Sequence, residues 1–256
     1  MNYVFAGNRD ISTWILEFLI DKGYKPSALL ITNKNNEHSK KLIELSGLDE
    51  KKIFCGSPRK NNNILTVINE INPDYIFGIH YPYIIDKELI NAPKKAFLNL
   101  HPSYLPFNRG WHTPSWSILE QTPIGATLHE MSEKLDCGDI IHRKKIQIDV
   151  KDTAHSLYLK LKKLEFEVFK EAFSSILNYN YKKIKQNCQK GSSHKKKDLF
   201  SDKISRLDLN KYYKLDDLLR VLRALTTNDI REAAYFIENN KKYRIQVKII
   251  EEEIQE

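Results

Sequence analysis

Tyr3-Val4-Phe5-Ala6, closed by Gly7, is a short apolar run with an amphipathic stretch behind it from Ile11 to Leu19. Ala28-Leu29-Leu30-Ile31 repeats the pattern before the polar Thr32-Asn33-Lys34-Asn35. Helical periodicity returns at Ser39–Leu45 and Ile64–Ile71, and strand-like runs follow at Asp74–Gly78 and Ala96–Leu100. Apolar runs without alternation suit strands buried on both faces, and helical segments between them supply parallel crossovers. The expected fold is α/β: a Rossmann-like, mostly parallel sheet with helices on both faces. Such a sheet places ligands beyond the carboxyl ends of its strands.

Downstream of His101, a loop with Pro102 and Pro106 leads to a short helix over Thr113–Leu119. Strands are expected at Ala126–His129 and Ile140–Arg143, then a long amphipathic helix from about Asp152 to Leu177. From Lys182 to Lys197 there are seven Lys and one His with no acid, which reads as a solvated basic linker. It divides a main domain, 1–181, from a C-terminal appendage, 198–256. That appendage reads as one helix, Leu215–Leu225, and a β-hairpin turning at Asn239-Asn240. Tyr243, Ile245, Val247 and Ile249 alternate with Arg244, Gln246 and Lys248, so one hairpin face is apolar. A homodimer that covers this face is expected.

The composition narrows the function classes. The 256 residues are 41% hydrophobic, with 13 Tyr, 11 Phe and 3 Trp, enough for a core and too many for a disordered chain. No apolar run reaches a membrane-spanning length, and the amino terminus lacks a secretory pattern. Three Cys cannot build a disulfide framework, so a reduced, cytoplasmic setting is expected. Net charge is +8, with an isoelectric point near 9.1 and a mean hydropathy of -0.52. A basic balance suits nucleic acid, a membrane surface or an acidic small substrate.

The chemistry concentrates between Leu98 and Ile140. Asn99 and His101 stand two apart at the end of a buried strand, so their side chains share a side. Asp136 follows in Leu135-Asp136-Cys137-Gly138. An amide donor, an imidazole and a carboxylate suffice for acyl transfer: Asn stabilises an oxyanion, His moves a proton, and Asp orients and charges the His. His129 and His142, within strands, are expected to be structural; His80 and His112 lie on loops near the cleft, and either role is open to them. No Cys/His/Asp cluster has metal-ligand spacing.

Asn99-Leu100-His101-Pro102-Ser103-Tyr104-Leu105-Pro106 with Arg109-Gly110 resembles the N-x-H-P-S-x-L-P-x-x-x-G segment of the folate-dependent formyltransferases. Gly125-Ala126-Thr127-Leu128-His129, followed by Asp136-x-Gly138, resembles that family's second motif. The resemblance covers about residues 1–180. It implies formyl transfer from N10-formyltetrahydrofolate to an amine, without a metal, with Asn99, His101 and Asp136 as the catalytic set. Whether His101 acts as base or as electrostatic partner stays open.

The resemblance also implies a pterin site between two loops, at Pro82, Tyr83 and Ile84 and at Met131, Ser132, Lys134 and Leu135. Tyr81, Tyr83 and Ile84 could equally just start a helix. The short tail resembles that of the sugar N-formyltransferases, which act on dTDP-linked 4-amino- or 3-amino-dideoxyhexoses for surface glycans such as the O-antigen of lipopolysaccharide. Asn8 and Arg9 are then expected at the diphosphate, and Tyr81, Tyr104, Arg109 and Trp111 around the nucleotide sugar; Arg9 has an exposed surface position as its other reading, and Arg109 has bracing the loop. The rival readings are methionyl-tRNA formylation and a basic RNA-binding protein on the same scaffold. With a nucleotide sugar as substrate, neither nucleic acid nor membrane is an expected partner.

Overall fold

The computed structural model describes residues 1–61 and 63–254. The chain opens with β1 (Tyr3–Gly7), α1 (Arg9–Asp21), β2 (Ala28–Ile31), α2 (Glu37–Ser46), β3 (Ile53–Cys55) and α3 (Asn63–Ile71). β4 (Tyr75–Ile79), α4 (Lys87–Ile90), β5 (Ala96–His101), β6 (Arg109–Gly110), α5 (Thr113–Glu120), β7 (Ile124–Glu130), β8 (Ile140–Ile146) and α6 (Ala154–Leu177) follow. The last elements are β9 (Ser193–His194), α7 (Asp202–Ser205), α8 (Leu215–Leu225), β10 (Ala234–Glu238) and β11 (Lys241–Ile245). Two compact units share them. One comprises Met1–His101, Ala126–Arg143 and Leu164–Asn187; the other comprises Pro102–Gly125, Lys144–Lys163 and Cys188–Glu256.

The first unit is built on a sheet of order β3-β2-β1-β4-β5-β7-β8. β3, β2, β1, β4 and β5 run parallel, and β7 pairs antiparallel with β5. The side-chain period of two explains the continuous apolar runs. Val4, Ala6, Ile76 and Phe97 pack on one face with Ile64 and Ile68 of α3 and Leu89 of α4. Tyr3 and Phe77 use the other face, with ring centroids 5.4 Å apart, and Phe77 meets Phe169 of α6 at 5.5 Å. Phe18 of α1 joins Phe173 at 5.2 Å. Helices therefore cover both faces, as the sequence indicated. β3, three residues long, was not legible in it.

In the second unit Trp116, Leu199, Leu222, Leu225 and Ala234 form a core. Ile245 and Val247 pack against that core, while Tyr243 stays exposed and stacks on Phe236 at 5.2 Å. The apolar hairpin stripe is thus partly spent inside the chain. The hairpin turns at Asn239 and Asn240, both at positive φ, which Asn tolerates. β9, within the basic segment, pairs parallel with β6, Arg109 opposite Ser193 and Gly110 opposite His194. Cys55 is a free, exposed thiol. Among the described residues no helix is long and apolar enough to cross a membrane.

Candidate active site

Asn99 and His101 close β5, with Asn99 opposite His129 and His101 opposite Thr127 on β7. Gly78 on β4 is opposite Asn99, and a Cβ there would stand 3.2 Å from Asn99 Oδ1 and 3.0 Å from the Phe97 ring. The glycine thus clears space for the amide. His129 Nδ1 lies 2.8 Å from Glu130 O, an atom that only accepts, so Nδ1 carries the proton. Burial pushes the His129 pKa down to about 4, against the pull of Asp136, and the ring is neutral near pH 7. Its Nε2 then accepts from Asn99 Nδ2 at 3.2 Å.

Asp136, at φ 49°, brings its carboxylate to this cluster from the loop after β7. Asp136 Oδ2 is 3.7 Å from His101 Nε2 and Oδ1 is 3.8 Å from His129 Nε2. The first separation is too long for a hydrogen bond and short enough for strong Coulomb coupling in a buried setting. Buried His101 Nε2 has no hydrogen-bond partner among the described residues. Gln186 fixes the loop by donating to Asp136 O at 3.2 Å and Gly138 O at 2.5 Å. Thus Asn99, His101 and Asp136 come together as the spacing implied. His129, read from sequence as structural, is also part of the cluster; its strand position hid a ring turned toward Asn99.

Two loops border the first unit's strand ends. Tyr81 and Tyr83 pack edge to face at 5.2 Å; Tyr81 Oη donates to Gly56 O at 2.7 Å and Tyr83 Oη to Thr32 O at 3.4 Å. Burial raises the Tyr81 pKa above its ordinary value, so this phenol stays protonated. Pro82 lies between the two tyrosines, and Ile84 is exposed. In the other loop Met131 N donates to Phe97 O at 2.7 Å and Ser132 Oγ to Lys134 O at 2.9 Å, while Leu135 is exposed. Lys87 and Glu133 form an ion pair at 2.9 Å between α4 and that loop. Asn8 caps α1 with extended backbone, accepts from Thr32 Oγ1 at 3.5 Å, and precedes Arg9 at φ 65°.

Tyr104, Arg109 and Trp111 belong to the second unit. Arg109 Nη2 donates to Cys188 O at 3.1 Å, a bracing contact. Lys196 Nζ sits 5.6 Å over the half-exposed Trp111 ring, and His112 packs edge-on to Phe200 at 4.9 Å. This segment turns on Asn108, a residue not singled out from sequence. Asn108 is buried at φ 52°; its Nδ2 donates to Ser117 and Thr122, both at 2.7 Å. Its Oδ1 accepts from Ser192 at 3.0 Å and from His194 Nε2 at 3.2 Å. The His194 ring stacks on Trp116 at 3.9 Å. His142, on β8, pairs with Glu171 at 2.8 Å.

With this geometry in hand, the match of the formyl transferase family model to residues 21–173 is decisive, since it spans Asn99, His101, His129 and Asp136. The chain belongs to the formyl transferase family. A second model, the N-formyltransferase dimerization C-terminal domain, matches residues 201–252. The dTDP-4-amino-4,6-dideoxyglucose formyltransferase of Mycobacterium tuberculosis is 33% identical over 174 residues, 68% of this chain and 72% of that protein. A 4-N formyltransferase from Francisella tularensis shares the fold with a TM-score of 0.80 at 27% identity, over 98% of each chain. The formyltransferase PseJ from Anoxybacillus kamchatkensis was solved with UDP-4,6-dideoxy-4-formamido-L-AltNAc and tetrahydrofolate. It aligns at a TM-score of 0.57 and 27% identity over 77% of this chain and 87% of its own. Methionyl-tRNA formyltransferases also match this formyl transferase, at 25–30% identity.

Proposed function

We propose that this enzyme transfers the formyl group of N10-formyltetrahydrofolate to the amine of a nucleotide-linked sugar, a dTDP-4-amino-4,6-dideoxyhexose destined for a bacterial surface glycan. The observation that carries this reading is the Asn99–His129–Asp136–His101 cluster. Asn99 spends one N–H on His129, and its other N–H is oriented for a developing oxyanion. One such donor contributes about 10²–10³ in rate. The bound folate supplies an electrophilic formyl carbon, and its N10 departs with a proton once the acceptor nitrogen has bonded to that carbon. His101 Nε2 donates that proton to N10, having held it as the imidazolium that Asp136 stabilises. The amine attacks as the neutral base, and the proton its nitrogen sheds once bonded passes to the Asp136 carboxylate, which returns it to His101.

The folate fits the exposed apolar side chains Ile84 and Leu135 on the two loops, with Pro82, Tyr83, Met131, Ser132 and Lys134 beside them. Asn8, Arg9 and Tyr81, together with Tyr104, Arg109 and Trp111, are assigned to the nucleotide sugar. Residues 1–181 serve as the catalytic domain and 198–256 as a homodimerising appendage joined by the 182–197 segment. The tail comprises α7, α8 and the β10–β11 hairpin, and its match to the N-formyltransferase dimerization C-terminal domain supports the sugar reading. The cytoplasm is the proposed compartment, since both co-substrates are charged and do not cross a bilayer.

The test is a panel of dTDP- and UDP-linked amino sugars incubated with N10-formyltetrahydrofolate and read by mass spectrometry for a gain of CO. Initiator methionyl-tRNA goes in parallel. Tight tRNA binding through roughly 6–10 phosphates weakens about 10³–10⁵-fold between 50 and 200 mM salt, whereas a diphosphate depends on salt far less. Formylated tRNA without any formylated sugar would replace this reading with the tRNA one. Salt-sensitive RNA retention without folate binding would make the chain a binding protein.

A further inference from the structure

His80 is the first residue beyond β4. Ile79 pairs with Gly7 on β1 and Leu100 on β5, so the next step along these strands sets His80 between Asn8 and His101. There it leaves the strand at φ 53°, a left-handed conformation that costs a non-glycine residue about 1–2 kcal/mol. Its Nε2 lies 2.6 Å from Glu165 Oε1, with the side chains only 7% and 0% exposed. Glu165 stands on α6 beside Phe166 and in the same helix as Phe169, and its Oε2 has no hydrogen-bond partner among the described residues. Burying a carboxylate this way carries a penalty of several kcal/mol, and apolar replacements of buried pairs are often neutral or stabilising. The core therefore gains nothing from this pair that leucine could not give. The loop gains an anchor: His80 is held by Glu165, Tyr81 by Gly56 and Tyr83 by Thr32.

We propose that the His80–Glu165 pair is a positioning latch that fixes the direction in which the 81–84 loop leaves β4, and so where the formyl donor lies relative to His101. The role in donor placement rests on the function proposed above. Neither residue touches the reacting atoms; each acts through the loop.

The latch predicts a loss on the folate side that the conservative variant at Glu165 escapes. Glu165→Leu lowers Tm, because it leaves the buried His80 ring without its partner, and raises KM for N10-formyltetrahydrofolate about tenfold by misplacing the loop. His80→Asn, which tolerates positive φ, does the same to the donor KM. Glu165→Gln retains an oxygen acceptor for the imidazole and stays within about threefold of the parent enzyme. KM for the amino sugar, which meets this loop at Tyr81 alone, rises less than the donor KM in Glu165→Leu and His80→Asn. Amide hydrogen exchange, measured on the full chain without substrates, accelerates at 81–84 in Glu165→Leu and His80→Asn and not in Glu165→Gln. Unchanged exchange at 81–84 in His80→Asn overturns the latch, as does faster exchange with an unchanged donor KM. If the parent enzyme formylates no acceptor from this donor, the proposed function fails, while the exchange result still decides whether the pair holds the loop.

Discussion

Asn99 and His129 face each other across the antiparallel β5–β7 ladder, with Asn99 Nδ2 3.2 Å from the unprotonated Nε2 of a neutral, buried imidazole. The carbonyl of Glu130 sets the tautomer, the tautomer makes Nε2 an acceptor, and the acceptor fixes the amide rotamer. The oxyanion donor proposed above is thereby held by a neutral imidazole.

This arrangement makes stability depend on pH. The His129 pKa is lowered from 6.5 to about 4 in the fold, chiefly by burial. Above pH 6.5 the ring is neutral in folded and unfolded chains, and its contribution is fully present. As pH falls below 6.5 the unfolded chain takes up a proton that the fold excludes, and about 2 kcal/mol is lost by pH 5. Urea midpoints measured from pH 7 to 5 should show the decline, and His129→Gln should flatten it by close to one proton.

Asn99→Ala, His101→Ala and Asp136→Ala should each lower turnover by about 10²-fold or more while leaving dTDP binding intact. Steady-state rates with calorimetry on the same preparations check both halves. Near-parental turnover in Asp136→Ala would remove the carboxylate from the reaction.

Asn108→Ala removes four side-chain hydrogen bonds, leaves Ser117, Thr122, Ser192 and His194 short of partners, and places alanine at positive φ. A loss of about 3 kcal/mol is expected, read as a Tm lower by roughly 6–12 °C. Asn108→Asp keeps the acceptor for Ser192 and His194 and offers its second oxygen to the Ser117 and Thr122 hydroxyls, which then donate, so it should lose less than the alanine variant.

Tyr243 is 42% exposed at the hairpin and stacked on Phe236. Tyr243→Lys places a charge on this exposed face and Ile237→Lys one on the opposite face of the hairpin, while sparing the Ile245 and Val247 contacts. Sedimentation velocity should show monomers for that variant and dimers for the parent. An unchanged dimer would put the interface elsewhere.

Most of the sheet was readable because β1, β2, β4 and β5 are buried on both faces, so their apolar runs stand out from polar surroundings. β3 and the β6–β9 pairing were not, since strands of two or three residues leave no period to detect. Asn99, His101 and Asp136 announced themselves through residue type and motif. His129, His80 and Glu165 did not, because partnership across 30 or 85 positions is a property of the fold alone. Asn108 was hidden in the same way, inside a loop whose prolines drew the eye.

β5 ends at His101, and the chain does not rejoin the first unit until Ala126, in a strand that runs back alongside β5. The whole excursion from Pro102 to Gly125 is therefore bracketed by a ladder that closes whatever its length or content. Insertions, deletions or wholesale replacement of that stretch leave the register of Asn99 against His129 untouched. Change can therefore accumulate in that stretch while the pairing of Asn99 with His129 stays as it is.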